Sequence, residues 1–220
     1  MDNKVELLGW YGGDKINACS AWTSTNRDLT DEKIERIPKL LKMLADNGHE
    51  TPFEKSILHF LVNTDIASHI HLLKHRISSL NAESARYKEL KEDKYYLPKD
   101  WMGIRSSTMD ENFYNPDEEW LSILTRYTDL GNKLYHNCLK DLEPKLGRKR
   151  AKESARYFKT YNSQIQADIM FNFRSFVNFQ RLRNADGAQN EIKDIAEDML
   201  NLVKTIPENP FKYTIEAFSL

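Results

Sequence analysis

Cysteine is scarce in this chain: Cys19 and Cys138 stand far apart in 220 residues, and neither belongs to a spacing that would hold a metal. A disulfide framework and a zinc ribbon are excluded, and no metal ligand set is expected. No apolar run approaches the roughly 20 residues that cross a bilayer, and the N-terminus shows no basic region followed by an apolar stretch and cleavage site. Reduced thiols and a cytoplasmic location are the expectation, the host cytoplasm if the chain is viral. An excess of either charge is also missing, with 32 Lys and Arg against 33 Asp and Glu. That balance argues against nucleic acid or acidic membrane as partners, so any positive potential must be local. No Gly-rich dinucleotide fingerprint follows a predicted strand, which leaves a Rossmann site unsupported. What is present, 40% apolar and 11% aromatic residues, suits one globular domain over residues 1–220.

Thr30 followed by Asp31 and Glu32 predicts a helix start, and Ile34, Ile37, Leu40, Leu41 and Leu44 share a face before Asn47-Gly48 stops it. His49 to Glu54 follow as a loop. Ile57 to Val62, short and apolar, reads as a strand; Asp65 caps a helix with Ile66, Ala67, Ile70, Leu72 and Leu73 on its apolar face. Asn115 before Pro116, with Asp117, Glu118 and Glu119 in the first turn, predicts a long helix. It is expected to carry Trp120, Leu121, Leu124, Tyr127, Leu134 and Cys138 inward, to be weakened at Gly131 and to end at Pro144. Ile165, Ala167, Ile169 and Phe171 alternate with wetter residues as a strand does. Arg174 to Arg183 and Ala188 to Val203 read as helices parted near Asp186-Gly187. Few strands among several helices, out of strict alternation, predict an α/β or α+β layer rather than a doubly wound sheet.

The densest chemistry lies in Lys74-His75-Arg76-Ile77-Ser78-Ser79-Leu80-Asn81-Ala82-Glu83-Ser84-Ala85-Arg86-Tyr87, which begins where a helix ends and a loop of serines and asparagine is expected. Guanidinium groups fork onto phosphate oxygens, each charge-assisted bond contributing about 1.5 to 3 kcal/mol, and hydroxyls and loop amides supply further donors. A phosphate-bearing small ligand is the first reading. The plain alternative is a solvated basic face with Lys74, Arg76 and Arg86 paired to Glu83 or Glu89. A lone histidine such as His75 is more often structural, Thr51 and Glu54 can form a turn and cap around Pro52, and Asn172, Arg174 and Asn178 can be a cap and an exposed arginine. On a helix Arg181 and Arg183 diverge by about 200 degrees, so one of them should point into a site.

Lys74-His75-Arg76, seven residues, Ser84 and then Arg86-Tyr87 resemble the signature of the flavin-dependent thymidylate synthases: Arg-His-Arg, seven arbitrary residues, Ser, usually continued as Arg-Tyr. His49-Glu50-Thr51-Pro52-Phe53-Glu54 upstream, and Asn172 to Arg183 followed by Ala188-Gln189-Asn190-Glu191-Ile192 downstream, agree in the same order, so the likeness spans roughly Asn17 to Ala196. The resemblance implies an α/β (α+β) subunit with a mostly antiparallel central sheet flanked by helices, assembled as a homotetramer with shared active sites. It implies reductive methylation of dUMP to dTMP, with methylenetetrahydrofolate as carbon donor and FAD, reduced by NADPH, as electron carrier. Cofactor contacts are implied for Thr51, Glu54, Lys74, His75, Arg76, Asn172, Arg174 and Asn178. Substrate contacts are implied for His71, Lys74, Glu83, Ser84, Ala85, Arg86, Arg156 and Arg183, with the phosphate at Arg86 and Arg156 and the base polarised by a catalytic Arg183. Neither cysteine lies in a matched motif, so a thiolate adduct has no candidate, and charge stabilisation on the ring is the route implied.

Lys74 departs from the signature's first arginine, keeping charge but losing the fork. Ala82 stands where the family commonly has Glu, with the carboxylate shifted to Glu83; His71 stands for a glutamine, Gly187 for a histidine, and Lys159-Thr160-Tyr161 lacks a proline. Two further readings stay open: C5 methylation or hydroxymethylation of another pyrimidine nucleotide such as dCMP or UMP, and a non-catalytic nucleotide-binding relative. Gln189 and Glu191 serve structure or ligand equally well. Glu83-Ser84-Ala85-Arg86-Tyr87 recurs as Glu153-Ser154-Ala155-Arg156-Tyr157, too short an echo to make a repeat fold.

Overall fold

The computed structural model describes residues 1–107 and 117–220. Its elements are β1 (Lys4–Tyr11), α1 (Asp14–Trp22), α2 (Asp31–Asp46), β2 (Ile57–Asp65), α3 (Ile66–Leu73), β3 (Ser79–Ala82), α4 (Trp120–Leu146), α5 (Arg148–Ala155), β4 (Gln164–Asn172), α6 (Phe173–Arg183), α7 (Asn190–Lys204) and α8 (Lys212–Ala217). The four strands form one antiparallel sheet, ordered β1-β2-β4-β3 and flanked by helices, which is the mixed architecture expected. Among the described residues no helix is long and apolar enough to cross a membrane.

The chain forms two compact units drawn from interleaved stretches. Unit 1 comprises Met1–Asn3, Asn63–Ile70 and Ala82–Gln166; unit 2 comprises Lys4–Val62, His71–Asn81 and Ala167–Leu220.

Unit 2 closes on apolar side chains. Leu58, Phe60 and Val62 of β2 and Ile169 and Phe171 of β4 alternate into a core with Phe173, Phe176 and Phe179 of α6 and Ile192, Ile195 and Met199 of α7. At about 1.5 to 3 kcal/mol for each large side chain removed from water, this face-forming alternation is what sets the strand register. Thr30 caps α2 by accepting from the Lys33 amide at 3.4 Å, and α2 ends before Asn47 as expected. The chain between β1 and α1 makes a tight turn: Gly12 (φ +98°) and Gly13 (φ +116°) occupy backbone conformations disfavoured for other residues. A side chain at Gly12 would meet Ser56 Oγ at 2.4 Å, and one at Gly13 would meet the Pro210 carbonyl at 2.5 Å. Beside them Asp14 accepts from the Tyr213 and Thr214 amides at 2.9 and 2.8 Å, tying α1 to α8. Burial pushes the Asp14 carboxyl up despite those bonds. β1, α1 and α8 were not anticipated from sequence.

Unit 1 is built differently. Its apolar cluster is Tyr135, Leu139, Ala151 and Ala155, with Leu90, Cys138 and Leu142 packed against it. The expected helix opening at Asn115-Pro116 lies outside the described residues, and Asp117, Glu118 and Glu119 precede α4 rather than forming its first turn. Glu119 instead bridges to Arg105, and both oxygens of Glu118 accept from Arg126. Pro144 does not end α4, which runs to Leu146; so late in the helix its missing N–H forfeits a single bond, and Gly147 at φ +75° makes the stop. The inward face also differs from expectation. Tyr127 and Leu134 are 58% and 39% exposed, while Ile123, Thr128, Gly131, Asn132, Tyr135 and Leu139 are buried. Two polar residues take inward positions because they are bonded there: Thr128 Oγ1 donates to the Leu124 carbonyl at 2.8 Å, and Asn132 Oδ1 accepts from Lys159 Nζ at 2.7 Å. Gly131 is a packing requirement rather than a weakness, since a Cβ there would stand 2.6 Å from the Phe158 carbonyl.

Candidate functional site

The signature residues fall into three groups, and the fold explains each. α3 stops at Leu73 because Leu72 is sunk in the core while amides of the next residues turn back, Lys74 N to the His71 carbonyl at 3.2 Å and His75 N to the Leu72 carbonyl at 3.0 Å. Ser78 Oγ donates to the His75 carbonyl at 2.6 Å. The serine and asparagine stretch expected as a loop then becomes β3, a correction with a simple cause: Leu80 reaches the core while its neighbours Ser79 and Asn81 face solvent, a period of two, and strand pairing with β4 satisfies the backbone.

The first group, in unit 2, joins α3 to α6. Arg183 Nε donates to His75 Nε2 at 3.0 Å, and the imidazole stands edge-on to Phe179 at 4.9 Å. As an acceptor at Nε2 the ring is neutral and carries its proton on Nδ1. Burial first, then the Arg183 and His71 charges, lower the His75 pKa to about 4. His71 Nε2 faces Gln189 Oε1 at 3.2 Å, and Gln189 Nε2 donates to Glu191 Oε2 at 2.7 Å, so Gln189 and Glu191 form a relay ending at His71. Among the described residues Lys74, Arg76 and Arg183 make no ion pair.

The second group, also in unit 2, lies where the turn Thr51–Lys55 meets α6. Arg174 donates to Glu50 at 3.1 Å and Glu54 at 2.6 Å, and Arg181 reaches Glu50 at 3.5 Å. Those carboxylates, Glu54 first, raise the Arg174 pKa further. Thr51 opens the turn and is exposed. Asn172 Oδ1 accepts from the Ser175 amide at 2.8 Å, the N-cap that its position suggested. Arg174, Asn178 and Arg181 recur at i, i+4 and i+7 on one face of α6. Arg183, nine residues from Arg174, lies about 180 degrees away. A single chain therefore does not bring the α6 residues to one point.

The third group is in unit 1. Ser84 closes a turn, its carbonyl accepting from the Tyr87 and Lys88 amides, both at 2.9 Å, and its Oγ accepting from the Arg86 amide at 3.3 Å. Ala85 is half-buried within it. Glu83 takes Lys88 Nζ at 2.5 Å and the Gln166 amide at 3.1 Å. Arg86 pairs with Glu153 at 2.5 Å, not with the Glu83 or Glu89 of the plain reading. Against the opposing effect of burial, the Arg86 contact holds Glu153 below the usual carboxylate range. Arg156 follows α5 in a short 3-10 turn and is exposed without an ion pair among the described residues. A cavity of about 470 Å³ opens here, lined among others by Arg86, Arg148, Lys149, Arg150 and Glu153.

Glu50 and Glu153 were not singled out from sequence, although Glu50 sits inside the first matched segment and Glu153 inside the echoed pentapeptide. Their pairing with arginines far along the chain carries no local signal.

The model of the family described as thymidylate synthase complementing protein matches residues 6–208. The chain belongs to the flavin-dependent thymidylate synthases. It is 31% identical over 200 residues to the flavin-dependent thymidylate synthase of Clostridium tetani, covering 86% of this chain and 73% of that one. The enzyme of the same name from Pseudothermotoga lettingae is 32% identical over 214 residues, covering 97% and 89%. Among solved structures, the UMP/dUMP methylase PolB of Streptomyces cacaoi bound with 5-Br dUMP superposes with a TM-score of 0.78 at 26% identity, covering 99% of this chain and 95% of that one. Membership makes the chain a methyltransferase of the flavin-dependent kind. Its donor set fits a flavin. Among the described residues Lys74 and Arg76 are cations without carboxylate partners, as a diphosphate requires, and the neutral His75 offers Nδ1–H to a heteroaromatic acceptor.

Proposed function

We propose that this chain methylates dUMP at carbon 5 to give dTMP, taking the carbon from methylenetetrahydrofolate, in the cytoplasm and as a single functional domain. The observation that carries the reading is Arg183 held through its Nε by a neutral His75 inside the signature segment, its remaining guanidinium donors being without a carboxylate among the described residues. Methylation at carbon 5 needs electron density there, and a fixed cation beside the ring stabilises the negative charge that develops. Arg86, Arg156 and the Ser84 turn would hold the phosphate, with the anion displacing Glu153 from Arg86. Lys74, His75 and Arg76 would hold FAD with Thr51, Glu54, Asn172, Arg174 and Asn178; when bound and recharged by NADPH, FAD supplies the electrons.

Homotetramer formation with shared sites belongs to the same proposal. It is supported by the division of the α6 residues between two faces, and by Leu73, Ile77 and Leu182, which flank the first group in sequence and are 50%, 75% and 54% exposed.

The test is a visible spectrum of the purified protein with FAD, titrated with dUMP, followed by tritium release from carbon 5. Arg183→Ala is expected to keep fold and flavin binding while lowering turnover by about 10² or more; an unchanged rate removes Arg183 from the role. A second reading, UMP as substrate, is favoured by the likeness to PolB, named a UMP/dUMP methylase, together with His71 and Ala82 at departing positions. Faster tritium release from UMP than from dUMP would establish it.

A further inference from the structure

Lys159 lies three residues after Arg156, and its surroundings are specific. Its side chain is 4% exposed, yet Nζ donates to Asp93 at 2.6 Å and Asn132 Oδ1 at 2.7 Å and lies 4.6 Å from the centre of the Tyr135 ring. Asp93 takes a second partner, His136 Nε2, at 2.9 Å. The opposed contributions of burial and of the Lys159 and His136 contacts leave the Asp93 carboxyl below the usual range. Asp93 also has φ +47°, a left-handed conformation that costs energy in a residue other than glycine and persists where contacts enforce it.

These contacts join the two segments that carry the phosphate arginines. Lys159 follows Arg156 by three residues and closes its turn, the Lys159 amide donating to the Arg156 carbonyl at 3.1 Å, while Phe158 abuts Gly131 of α4. Asp93 ends the segment begun by Ser84 and Arg86, which is further attached by Leu90 N to Tyr135 Oη at 3.1 Å and by Lys152 Nζ to the Tyr87 carbonyl at 2.6 Å. Arg86 itself meets Glu153, one helical turn before Arg156 and hence on the same side. We propose that Lys159 is a positioning residue for the nucleotide phosphate, clasping the Arg86 loop and the Arg156 turn onto α4 so that both guanidinium groups address one anion. The proposal rests on the nucleotide reading above. It adds a device in which a buried charge fixes the two segments.

Lys159→Met removes the charge while His136 keeps Asp93 partnered, so the fold is expected to survive. Asn132→Ala, which withdraws one acceptor and keeps the ion pair, is the milder second variant. In Lys159→Met the KM for dUMP is expected to rise about tenfold, the worth of one charge-assisted bond, with kcat within about twofold. Affinity for deoxyuridine, which lacks the phosphate, should not change. Asn132→Ala should move dUMP affinity in the same direction by less. Equal weakening of dUMP and deoxyuridine, or a fall in Tm with dUMP affinity intact, overturns the clasp. Arginine Nε–H NMR signals, assigned through Arg86→Lys and Arg156→Lys, give a readout independent of nucleotide. They should shift or broaden in Lys159→Met, and unchanged signals overturn the clasp even if wild type binds dUMP. Wild type that binds no dUMP defeats the nucleotide reading instead, and the arginine signals still decide whether Lys159 positions them.

Discussion

Unit 2 and unit 1 are held together by different physics. Unit 2 closes on a continuous apolar cluster that runs from Ala18 through Phe60, Phe171 and Phe176 to Phe218, whereas the buried cluster of unit 1, among the described residues, is Tyr135, Leu139, Ala151 and Ala155. Unit 1 makes up the difference with directional contacts between distant segments: Arg86 with Glu153, Arg148 with Glu89, Lys159 with Asp93. The division suits the chemistry assigned to each. Arg183 is bonded to His75, which rests on Phe179 of the apolar cluster, where a cation proposed to stabilise a developing charge has little freedom to relax. Arg86, proposed to hold the phosphate, is paired with a carboxylate, Glu153, that an incoming anion can displace, and polar contacts are easier to exchange than packed rings.

The largest effect should follow from opening the unit 2 core. Phe176 is fully buried and meets Phe60 at 5.8 Å, Phe171 at 6.1 Å and Phe173 at 5.8 Å between ring centres. Phe176→Ala should cost about 3 to 5 kcal/mol in urea unfolding, nearly independent of salt. A loss below about 1 kcal/mol would mean that the apolar cluster is not what holds unit 2.

The next effect is acid sensitivity. The His75 pKa is lowered to about 4 by burial and by the charges of Arg183 and His71. The unfolded chain therefore binds the proton first. The stabilising contribution is complete above the ordinary histidine pKa of about 6.5 and is lost as pH falls from there toward the folded value. His69 in unit 1, lowered by burial alone, acts with the same sign. His75→Gln, which keeps an acceptor for Arg183, should flatten part of the stability slope in that window while leaving the His69 part. An unaltered slope would show that His75 does not titrate as its position implies.

A third effect distinguishes steric from electrostatic support in unit 1. Gly131→Ala places a methyl 2.6 Å from a backbone carbonyl, and should destabilise by about 1 to 3 kcal/mol despite the better helix propensity of alanine. Stabilisation would show that α4 and the Arg156 turn are not in close contact.

How much of this was legible beforehand follows the same division. Helix α2, with its threonine cap and apolar face, and the alternation of Ile165 to Phe171 declare themselves because burial in an apolar core imposes a period on the sequence. β1 carried no comparable signal, since its inward residues are only half-buried and Leu7-Leu8 breaks the alternation. The inward face of α4 was misjudged where Thr128 and Asn132 take buried positions through hydrogen bonds, which leave no apolar period. Asp117 to Glu119 mimic a helix start in composition, yet their side chains and backbone are engaged with Arg105 and Arg126. The motif names candidate residues, but not their partners. Which carboxylate faces which arginine depends on contacts between distant segments, as the meetings of Arg86 with Glu153 and Arg174 with Glu50 illustrate.

The smallest effects should come from single ion pairs, and here the two units ought to differ in kind. In unit 2 Lys42 meets Asp46 one turn away on α2, with both side chains about half exposed. The helix already holds these residues at that separation, so Lys42→Gln should cost at most about 0.5 kcal/mol, and nothing in 1 M salt. In unit 1 Arg148 is equally exposed, but its guanidinium binds Glu143 at 2.8 Å and Glu89 at 2.8 Å, joining the end of α4 to the loop beyond Arg86. Its planar fork is already committed by one carboxylate when the other arrives, and the ordering entropy of the loop is then at stake. Arg148→Gln should therefore cost more than Lys42→Gln at low salt, and the loss should shrink as salt is raised. If the two substitutions prove equal at low salt, the contacts of unit 1 are ordinary surface pairs, and its cohesion must come from the packing of α4 against α5.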